Sequence, residues 1–230
     1  MSFKPLISII IPARNEENYI GKCLESIFSQ DFDKGYFEVI VVNNGSSDCT
    51  SNIASQFPVV LTRESRVGCI YALVKGLSLS RGEIIVFTDA DCYYPKNWIR
   101  KIKTTFKSSP KVMAVGGPSY FHDGGVILDG LSFLLQIFSR RMRGANFAIR
   151  KNFLMEIGGL NTDINFGWDT DLFTRIQKYG CYKIDRSNSI YTSARRYKRM
   201  FLKIIILQLV NNLFLKAFSR GVIFHFPKLA

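Results

Sequence analysis

Cysteine is scarce in this sequence, and no cysteine pair has the spacing of a metal or redox site. The 230 residues contain five widely separated cysteines and no C-x-x-C motif. An odd number of scattered cysteines argues against a disulfide framework and against a structural zinc site. The segment Met1–Pro5 leads directly into a strand-like run instead of a signal peptide. We therefore expect a protein of the reducing cytoplasm.

Common phosphate-binding fingerprints and internal repeats are missing as well. No G-x-G-x-x-G follows the first predicted strand, so the pattern of dinucleotide-dependent dehydrogenases is absent, and the chain has no P-loop. Hydrophobic residues make up 47% of the chain, which fits a globular protein and argues against disorder. A chain of this length can bury a substantial core as one domain, with or without an appendage.

Acidic residues are outnumbered, since 18 Asp and Glu face 31 Lys and Arg and the formal net charge is +13. This excess predicts an anionic partner, and composition leaves open whether that partner is nucleic acid, a nucleotide or a lipid surface. The excess is also uneven. From Arg186 to its end the chain carries nine basic residues and no acidic one, which indicates a localised basic region.

Residues 201–218, within that basic region, are apolar over most of a helical circumference but are interrupted by two lysines, a glutamine and two asparagines. A bilayer span needs about 20 mostly apolar residues, and the longest uninterrupted apolar run here is Ile204–Leu207. For residues 200–230 we therefore predict an apolar and basic helical tail that lies on a membrane surface. The alternative is a helix that packs on the domain or in a dimer interface.

The stretch Ile84–Cys92 concentrates the chemistry of the chain. Four apolar residues, Ile84–Phe87, run into Thr88 and then into Asp89-Ala90-Asp91. Such a run is typical of a buried strand, although a helical segment has the same signature. Open α/β sheets bind ligands at the carboxyl ends of their strands, and paired carboxylates there favour Mg²⁺ or Mn²⁺ and, through the metal, phosphate oxygens. The alternative is a solvated turn or a helix N-cap.

Strand and helix patterns alternate along the first half of the chain, which predicts a parallel sheet with right-handed crossovers. The predicted elements are a strand at Leu6–Ile11, a helix capped by Asn15, a strand at Phe37–Val42, a helix capped by Ser47 or Asp48, a strand at Val59–Leu61, a helix at Arg66–Leu79, the strand at Ile84–Phe87 and a helix from Pro95. The second half is less regular. It contains strand patterns at 112–115, 144–149, 182–184 and 190–192, and a helix that begins near Asp169 and ends at Gly180.

Four segments, taken in order, resemble the family-2 glycosyltransferases of GT-A fold over roughly residues 7–199. They are IIIPARNEE at 9–17, VVNNGSSD at 41–48, FTDAD at 87–91 and FGWDTDL at 166–172. The resemblance implies an α/β, GT-A-type nucleotide-binding domain with a mixed, mostly parallel central sheet flanked by helices. Its nucleotide-binding half would be about 1–110 and its acceptor half about 111–199. The resemblance also implies a nucleotide-diphospho-sugar donor, a divalent metal (Mn²⁺ or Mg²⁺) and inversion at the sugar.

Carried over by position, the resemblance implies a set of donor-binding residues. Two of them depart from the family's usual pattern: Arg14 stands where a Tyr is common, and Asn43 stands where an Asp reads the base. Because Asn has a donor as well as an acceptor, the base stays open. The set comprises Pro12, Arg14 and Glu16 at the nucleoside, Asn43 at the base, Arg66 at the diphosphate, Asp89, Ala90 and Asp91 at the ribose and metal, and Asn146 at the sugar.

The resemblance also implies the groups that carry the reaction. Asp169 matches the Asp of the family's Glu-Asp pair and would be the base, although it could instead be only a helix N-cap. Trp168 replaces the Glu and could stack on a sugar or an acceptor. Arg195 and Arg196 could close over the diphosphate or receive an acidic acceptor, or they could be a solvated basic stretch.

Three classes of function remain open on sequence alone. The favoured one is a metal-dependent inverting glycosyltransferase at the cytoplasmic membrane face, with a polyprenyl-linked or polysaccharide acceptor and without a nucleic-acid partner. The second is another metal-dependent phosphate enzyme, such as a nucleotidyltransferase or a phosphatase of the haloacid-dehalogenase type. The phosphatases carry their Asp-x-Asp after the first strand, whereas here the pair follows a later strand. Nucleotidyltransferases usually have a Gly-rich loop after the first strand, which the sequence PARN at 12–15 lacks. The third is a basic module that binds nucleic acid, for which the chain has no recognisable motif.

Overall fold

The computed structural model describes residues 5–138, 142–196 and 198. Within them, strands and α-helices alternate through the first half, and the order is less regular in the second. The strands are β1 (Ile7–Ala13), β2 (Phe37–Asn43), β3 (Val60–Arg63), β4 (Ile84–Phe87), β5 (Cys92–Tyr93), β6 (Val112–Gly116), β7 (Ser119–Phe121), β8 (Phe147–Arg150), β9 (Cys181–Ile184) and β10 (Ile190–Thr192). The helices are α1 (Ile20–Phe28), α2 (Thr50–Ala54), α3 (Cys69–Leu79), α4 (Trp98–Ser108), α5 (Gly125–Phe138), α6 (Lys151–Glu156) and α7 (Trp168–Tyr179).

Seven strands form one mixed sheet in the order β3-β2-β1-β4-β8-β6-β9. Strands β3, β2, β1 and β4 run parallel to one another, and β6 runs parallel to β9, whereas β8 is antiparallel to both of its neighbours. A smaller sheet, β5-β10-β7, lies beside it. The predicted α/β architecture, with a mostly parallel central sheet flanked by helices, is confirmed.

Strand β1 lies near the middle of the large sheet, and its isoleucines are fully buried because helices cover both faces. Ile9 and Ile11 pack in one cluster with side chains of α1 and α4, whereas Ile10 packs in the opposite cluster with α3 and α7. Burying one such side chain contributes about 1.5–3 kcal/mol. Two covered faces explain why the strand is continuously apolar instead of alternating.

Ser8 is the only polar residue of β1, and it is fully buried, with its hydroxyl both donating and accepting a hydrogen bond. Its hydroxyl donates to Glu38 Oε1 (2.7 Å) and accepts from the Gly82 backbone N–H (2.8 Å). Glu38 in turn binds the Arg81 guanidinium at 2.9 Å. This network joins β1, β2 and the approach to β4 at the end of the sheet opposite the carboxyl ends of the strands.

Several predicted boundaries near the first loop are wrong. Strand β1 continues through Pro12, which pairs in parallel register with Val42. Asn15 does not cap a helix, because α1 begins only at Ile20 and Asn15 has a φ of 54°. Its side-chain oxygen instead accepts from the Ser47 backbone N–H at 2.9 Å, which ties the loop after β1 to the loop after β2.

Other boundaries shift by a few residues. Helix α3 begins at Cys69 instead of Arg66, and a 3₁₀ turn at Gly144–Asn146 precedes β8 where a continuous strand was predicted. The predicted surface helix at 200–230 lies outside the described residues. Within the described ranges, no helix is long and apolar enough to cross a membrane.

Candidate active site

Three carboxylates from two neighbouring parallel strands meet at the carboxyl edge of the large sheet. Asp89 and Asp91 follow β4, and Glu16 follows β1, which pairs with β4. Ligand atoms of Asp89, Asp91 and Cys92 all lie within 4.8 Å of one another. Asp91 and Glu16 are buried, and Asp89 keeps some exposure. The sequence prediction that Asp89 and Asp91 emerge together at the end of a strand agrees with this geometry.

Arg195 is the counter-ion of this carboxylate cluster. Its guanidinium bonds both carboxylate oxygens of Glu16 and lies 3.3 Å from Asp91 Oδ2. It also stacks on the Tyr19 ring, 4.2 Å from the ring centroid. Arg196 adds a longer contact, 3.4 Å, to Glu16 Oε1. The two arginines therefore contact the acids directly and are not a solvated basic stretch.

Strand β10 brings Arg195 to the site through backbone and hydroxyl contacts. Thr192, the last residue of β10, lies with its hydroxyl 3.4 Å from Asp91 Oδ1. The Ser193 backbone N–H donates to the Asp91 carbonyl (3.2 Å), and the Ala194 backbone N–H donates to Asp123 Oδ1 (2.5 Å). These bonds fix the backbone just before the arginine pair.

The pKa values of two of these carboxylates, Asp89 and Glu16, are raised. Burial, followed by the charge of Asp91, raises the pKa of Asp89 from 3.8 to about 7, although Arg196 acts in the opposite direction. Burial and then Asp91 also raise the pKa of Glu16, against the opposing effect of Arg195. A cluster with excess negative charge and low solvation favours a bound cation.

The donor set of the cluster fits a hard divalent cation. Asp89 and Asp91 offer carboxylate oxygens, which Mg²⁺ and Mn²⁺ prefer. Cys92, the third member of the group, is fully buried, and burial raises the pKa of its thiol well above the ordinary value. A protonated thiol is a poor ligand, so the carboxylate pair carries the metal-binding potential.

Asp169 lies at the start of α7 with both oxygens bonded to backbone N–H groups. Oδ2 accepts from Gly144 (3.0 Å) and Oδ1 accepts from Thr170 (2.9 Å), while the N-cap position itself is Gly167. Burial raises the pKa of Asp169, partly offset by the Gly144 hydrogen bond. Its charge contributes to the raised pKa of Asp89, so the two carboxylates belong to one electrostatic neighbourhood. Asp171, in the same first turn of α7, is paired with the Arg175 guanidinium at 2.6 Å.

Trp168 and Asn146 support the site from within the protein. Trp168 packs edge-on against Phe87, with ring centroids 5.3 Å apart. The buried Asn146 accepts from Trp98 Nε1 (3.0 Å) and donates to the Pro118 and Asn188 carbonyls (3.3 and 2.7 Å). Its amide thus has protein partners on both the oxygen and the nitrogen, so the structure gives it a positioning role, and its predicted contact with the sugar remains a prediction.

The loop that bears Arg66 is tied to the end of β2 by a residue that the sequence reasoning did not single out. Asn44 is buried, donates to the Glu64 and Arg66 carbonyls (3.2 and 2.7 Å) and accepts from the Gly68 N–H (2.9 Å). Arg66 itself is exposed and forms a two-bond ion pair with Glu64, at 3.0 and 2.9 Å. A polar residue directly after a buried strand was the available signal for Asn44.

The remaining predicted donor residues line the same edge. Pro12 and Arg14 are half-buried at and just after the end of β1, and Ala90 is buried between the two aspartates. Asn43 ends β2, accepts from the Ser46 N–H (2.8 Å) and donates to the Ser51 hydroxyl (2.5 Å). The loops after β1, β2 and β4 therefore converge, as expected for a parallel sheet that binds a ligand.

Asp123 is a second residue that sequence reasoning missed. It accepts from the Ser193 hydroxyl (2.7 Å) in addition to the Ala194 N–H. Burial opposes its charged form, but the hydrogen bonds from Ala194 and Ser193 lower its pKa below the ordinary value. Asp123 follows the short strand β7. The parallel pairing of β7 with β10 brings it to Ser193 and Ala194, which are distant in the sequence.

Comparison with known proteins decides the family. The family described as "Glycosyl transferase family 2" matches residues 8–161. The chain belongs to glycosyl transferase family 2. Relatives include glycosyltransferase AglE of Haloferax volcanii, 38% identical over 119 residues, which are 49% of this chain and 39% of AglE. Another is a Methanococcus voltae enzyme, 33% identical over 123 residues (48% of this chain, 38% of the relative). It is named dolichyl N-acetyl-alpha-D-glucosaminyl phosphate 3-beta-D-2,3-diacetamido-2,3-dideoxy-beta-D-glucuronosyltransferase.

Solved structures of other proteins share the GT-A fold of the chain. The mannosyltransferase PcManGT from Pyrobaculum calidifontis, in complex with GDP-Man and Mn²⁺, aligns with a TM-score of 0.76 at 23% identity. That alignment covers 96% of this chain and 66% of PcManGT. TarS of S. aureus (residues 1–349) in complex with UDP-GlcNAc aligns with a TM-score of 0.66 at 19% identity, over 81% of this chain and 58% of TarS.

Proposed function

We propose that this chain transfers a sugar from a nucleotide-diphospho-sugar to an acceptor hydroxyl, with inversion and with a divalent metal held by Asp89 and Asp91. The observation that carries the proposal is the carboxylate pair at the end of β4, bridged by Arg195 to Glu16 at the end of β1. Membership of family 2 supports it, as do the GDP-Man and UDP-GlcNAc bound in the structures of PcManGT and TarS.

The nucleoside and diphosphate would bind along the converging loops of the nucleotide-binding half, about residues 1–110. Pro12, Arg14, Glu16 and Asn43 border the nucleoside end of this edge. Arg195 offers the diphosphate a donor that the fold leaves unused: its buried Nε has no hydrogen-bond partner among the described residues. A buried unpaired donor is costly, so an anionic ligand that accepts from it is favoured.

A bound Mn²⁺ or Mg²⁺ would supply charge stabilisation to the departing nucleotide diphosphate. The residues of the chain have separate tasks. Asp89 and Asp91 hold the cation, and Arg195 and Arg196 can turn toward the phosphates. Arg66 lies on the loop that Asn44 anchors, and from there it could place a further positive charge near the diphosphate.

Asp169 is the proposed base of the acceptor half, about residues 111–199. A raised pKa makes a carboxylate a better proton acceptor near neutral pH, and the Gly144 N–H orients the oxygen Oδ2. The acceptor oxygen forms a bond to the anomeric carbon and gives its proton to Asp169. The bond from that carbon to the diphosphate breaks, and the nucleotide keeps the electron pair. A single displacement inverts the anomeric centre.

The acceptor is proposed to be linked to a polyprenyl lipid at the cytoplasmic membrane face. The Methanococcus voltae relative supports this, because its name describes a dolichyl-phosphate-linked sugar as the acceptor. From Arg186 onward the sequence contains basic residues and no acidic one. This positive charge would favour binding to an anionic lipid surface.

Calorimetric titration of UDP, GDP and CDP, with and without Mn²⁺, tests the donor site and identifies its base. We expect one nucleotide to bind in a metal-dependent manner and the Asp91→Ala variant to lose this binding. The Asp163→Ala variant is the matched control, because Asp163 is an exposed carboxylate in the loop before α7. If no nucleotide binds, or if binding ignores both Mn²⁺ and Asp91, the proposed site is wrong.

A further inference from the structure

Helix α5 has its polar residues turned inward and its large apolar residues turned outward. Ser132 and Gln136 are buried, and the Asp129 carboxylate accepts from the Gly124 N–H at 3.0 Å. On the opposite side, Val126 and Ile127 are 94% and 84% exposed, the two largest exposures of bulky apolar side chains among the described residues. Phe133 and Leu134, about two turns further on, are more than half exposed.

This arrangement is the reverse of an ordinary surface helix, whose apolar stripe faces the core. The four exposed side chains of α5 lie within a sector of about 120° on a helical wheel of 3.6 residues per turn, so they form one stripe. The inward polar contacts hold the helix in this rotation: the Ser132 hydroxyl accepts from the Phe121 N–H at 3.3 Å, and Asp129 is tied to Gly124. A contiguous apolar surface of this kind marks an interaction site.

We propose that the outward face of α5, defined by Val126, Ile127, Phe133 and Leu134, docks into the headgroup region of an anionic lipid bilayer. Charge selects this partner. The α5 segment, 125–138, contains a single acidic residue, Asp129, which is turned inward, and the sequence that follows it includes Arg140, Arg141 and Arg143. An apolar helix face that is followed in the sequence by clustered arginines has the composition that binds anionic membrane surfaces.

The segment that follows β10 packs against the residue that precedes α5. Asp123, two residues before α5, binds the Ser193 hydroxyl and the Ala194 N–H, and the Lys198 N–H donates to the Ala194 carbonyl at 2.9 Å. Among the described residues, Ser193 and Ala194 therefore lie beside the start of α5, and in the sequence they are followed by the basic and apolar stretch 199–230. The start of α5 also lies next to the β5-β10-β7 sheet, whose strand β5 directly follows Asp91.

The inference extends the proposed function, because it identifies the face on which a lipid-linked acceptor would arrive, but its test needs no catalysis. We compare binding of the full chain to vesicles of phosphatidylcholine alone and of phosphatidylcholine mixed with phosphatidylglycerol. The triple variant Val126→Ser, Ile127→Ser, Leu134→Ser should lower the partition coefficient for the mixed vesicles about tenfold or more. The double variant Leu79→Ser, Met155→Ser removes exposed apolar side chains elsewhere and should leave it unchanged.

A depth probe separates α5 from the tail. In the Ile127→Trp variant, lipids brominated on their acyl chains should quench the added indole, whereas the Met155→Trp variant should show only the background of Trp98 and Trp168. If vesicles bind but the Ile127→Trp variant shows only this background, the lipid contact lies elsewhere and the proposal fails. If the triple substitution instead abolishes a lipid-free dimer in light scattering, the face belongs to a second copy. Nucleotide binding measured on the same preparations tests the proposed donor site separately, so a failure of the proposed function can be told from a failure of membrane docking.

Discussion

Asp89 is predicted to destabilise the unliganded protein at neutral pH, so the Asp89→Asn variant should be more stable than the native chain. The carboxylate is largely withdrawn from water and lies beside Asp91, and these two effects raise its pKa to about 7. The substitution keeps the shape of the side chain and removes the charge. The same change removes a proposed metal ligand, so stability and donor binding should move in opposite directions.

The sign and size follow from proton linkage. Between about pH 4 and about pH 7 the folded protein keeps the Asp89 proton that the unfolded chain has already released, so stability falls as the pH rises through this window. A rise from 3.8 to about 7 corresponds to at most about 4 kcal/mol in total. Between about pH 5.5 and about pH 7.5 the loss is about 2 kcal/mol of unfolding free energy.

Urea denaturation with metal chelated measures this loss in the native chain, in Asp89→Asn and in the exposed-carboxylate control Asp163→Asn. The fall in stability between the two pH values should be about 2 kcal/mol smaller in Asp89→Asn than in the other two proteins. Added Mn²⁺ should stabilise the native chain at the higher pH and leave Asp89→Asn unchanged, since a ligand stabilises only the state that binds it. Equal pH dependence in all three proteins would refute the reasoning.

Three further substitutions or deletions test other parts of the site. The Arg195→Ala variant should bind Mn²⁺ several-fold more tightly without nucleotide, because the guanidinium no longer competes for Asp91. The same variant should bind nucleotide diphosphates more weakly. Calorimetry measures both affinities, with Arg100→Ala as the surface control. The Asp169→Asn variant should lose about 10²–10⁴-fold in turnover with nucleotide affinity retained, measured by radiolabelled sugar transfer. Deletion of 201–230 should weaken binding to anionic vesicles in sedimentation assays and leave nucleotide binding intact.

The strands nearest the site could be predicted because burial on both faces leaves a continuous apolar run. β1, β2 and β4 each bury nearly every residue, so their sequences carry no alternation and end abruptly in polar residues. The polar residues that follow, including Asp89 and Asp91, then identify the edge of the sheet at which ligands bind. Local pattern was sufficient here because adjacent residues decide both the strand and its end.

The counter-ion of the site could be named from sequence only through family resemblance, and its partners could not be named at all. Arg195 is 104 residues from Asp91 and 179 from Glu16 along the chain. It reaches them because β10 pairs with β5 and β7, and these are strands of two or three residues whose pairing no local pattern specifies. The Asn44 anchor and the inverted exposure of α5 are likewise set by tertiary contacts.

The position of Arg195 would also link the two ligands proposed for the site. While its guanidinium bridges Glu16 and Asp91, it neutralises negative charge that would otherwise attract a divalent cation. The bridging arginine and the cation therefore compete for the same carboxylates. A diphosphate would offer the guanidinium a second set of acceptors, including one for Nε, which has no hydrogen-bond partner in the described part of the chain. If the phosphates draw Arg195 away from Asp91, the Asp91 carboxylate would be free to bind the cation. The charge of the cation would in turn strengthen binding of the phosphates. Metal and nucleotide should therefore strengthen each other's binding by the same factor, as linkage requires, and that factor should shrink when Arg195 is removed.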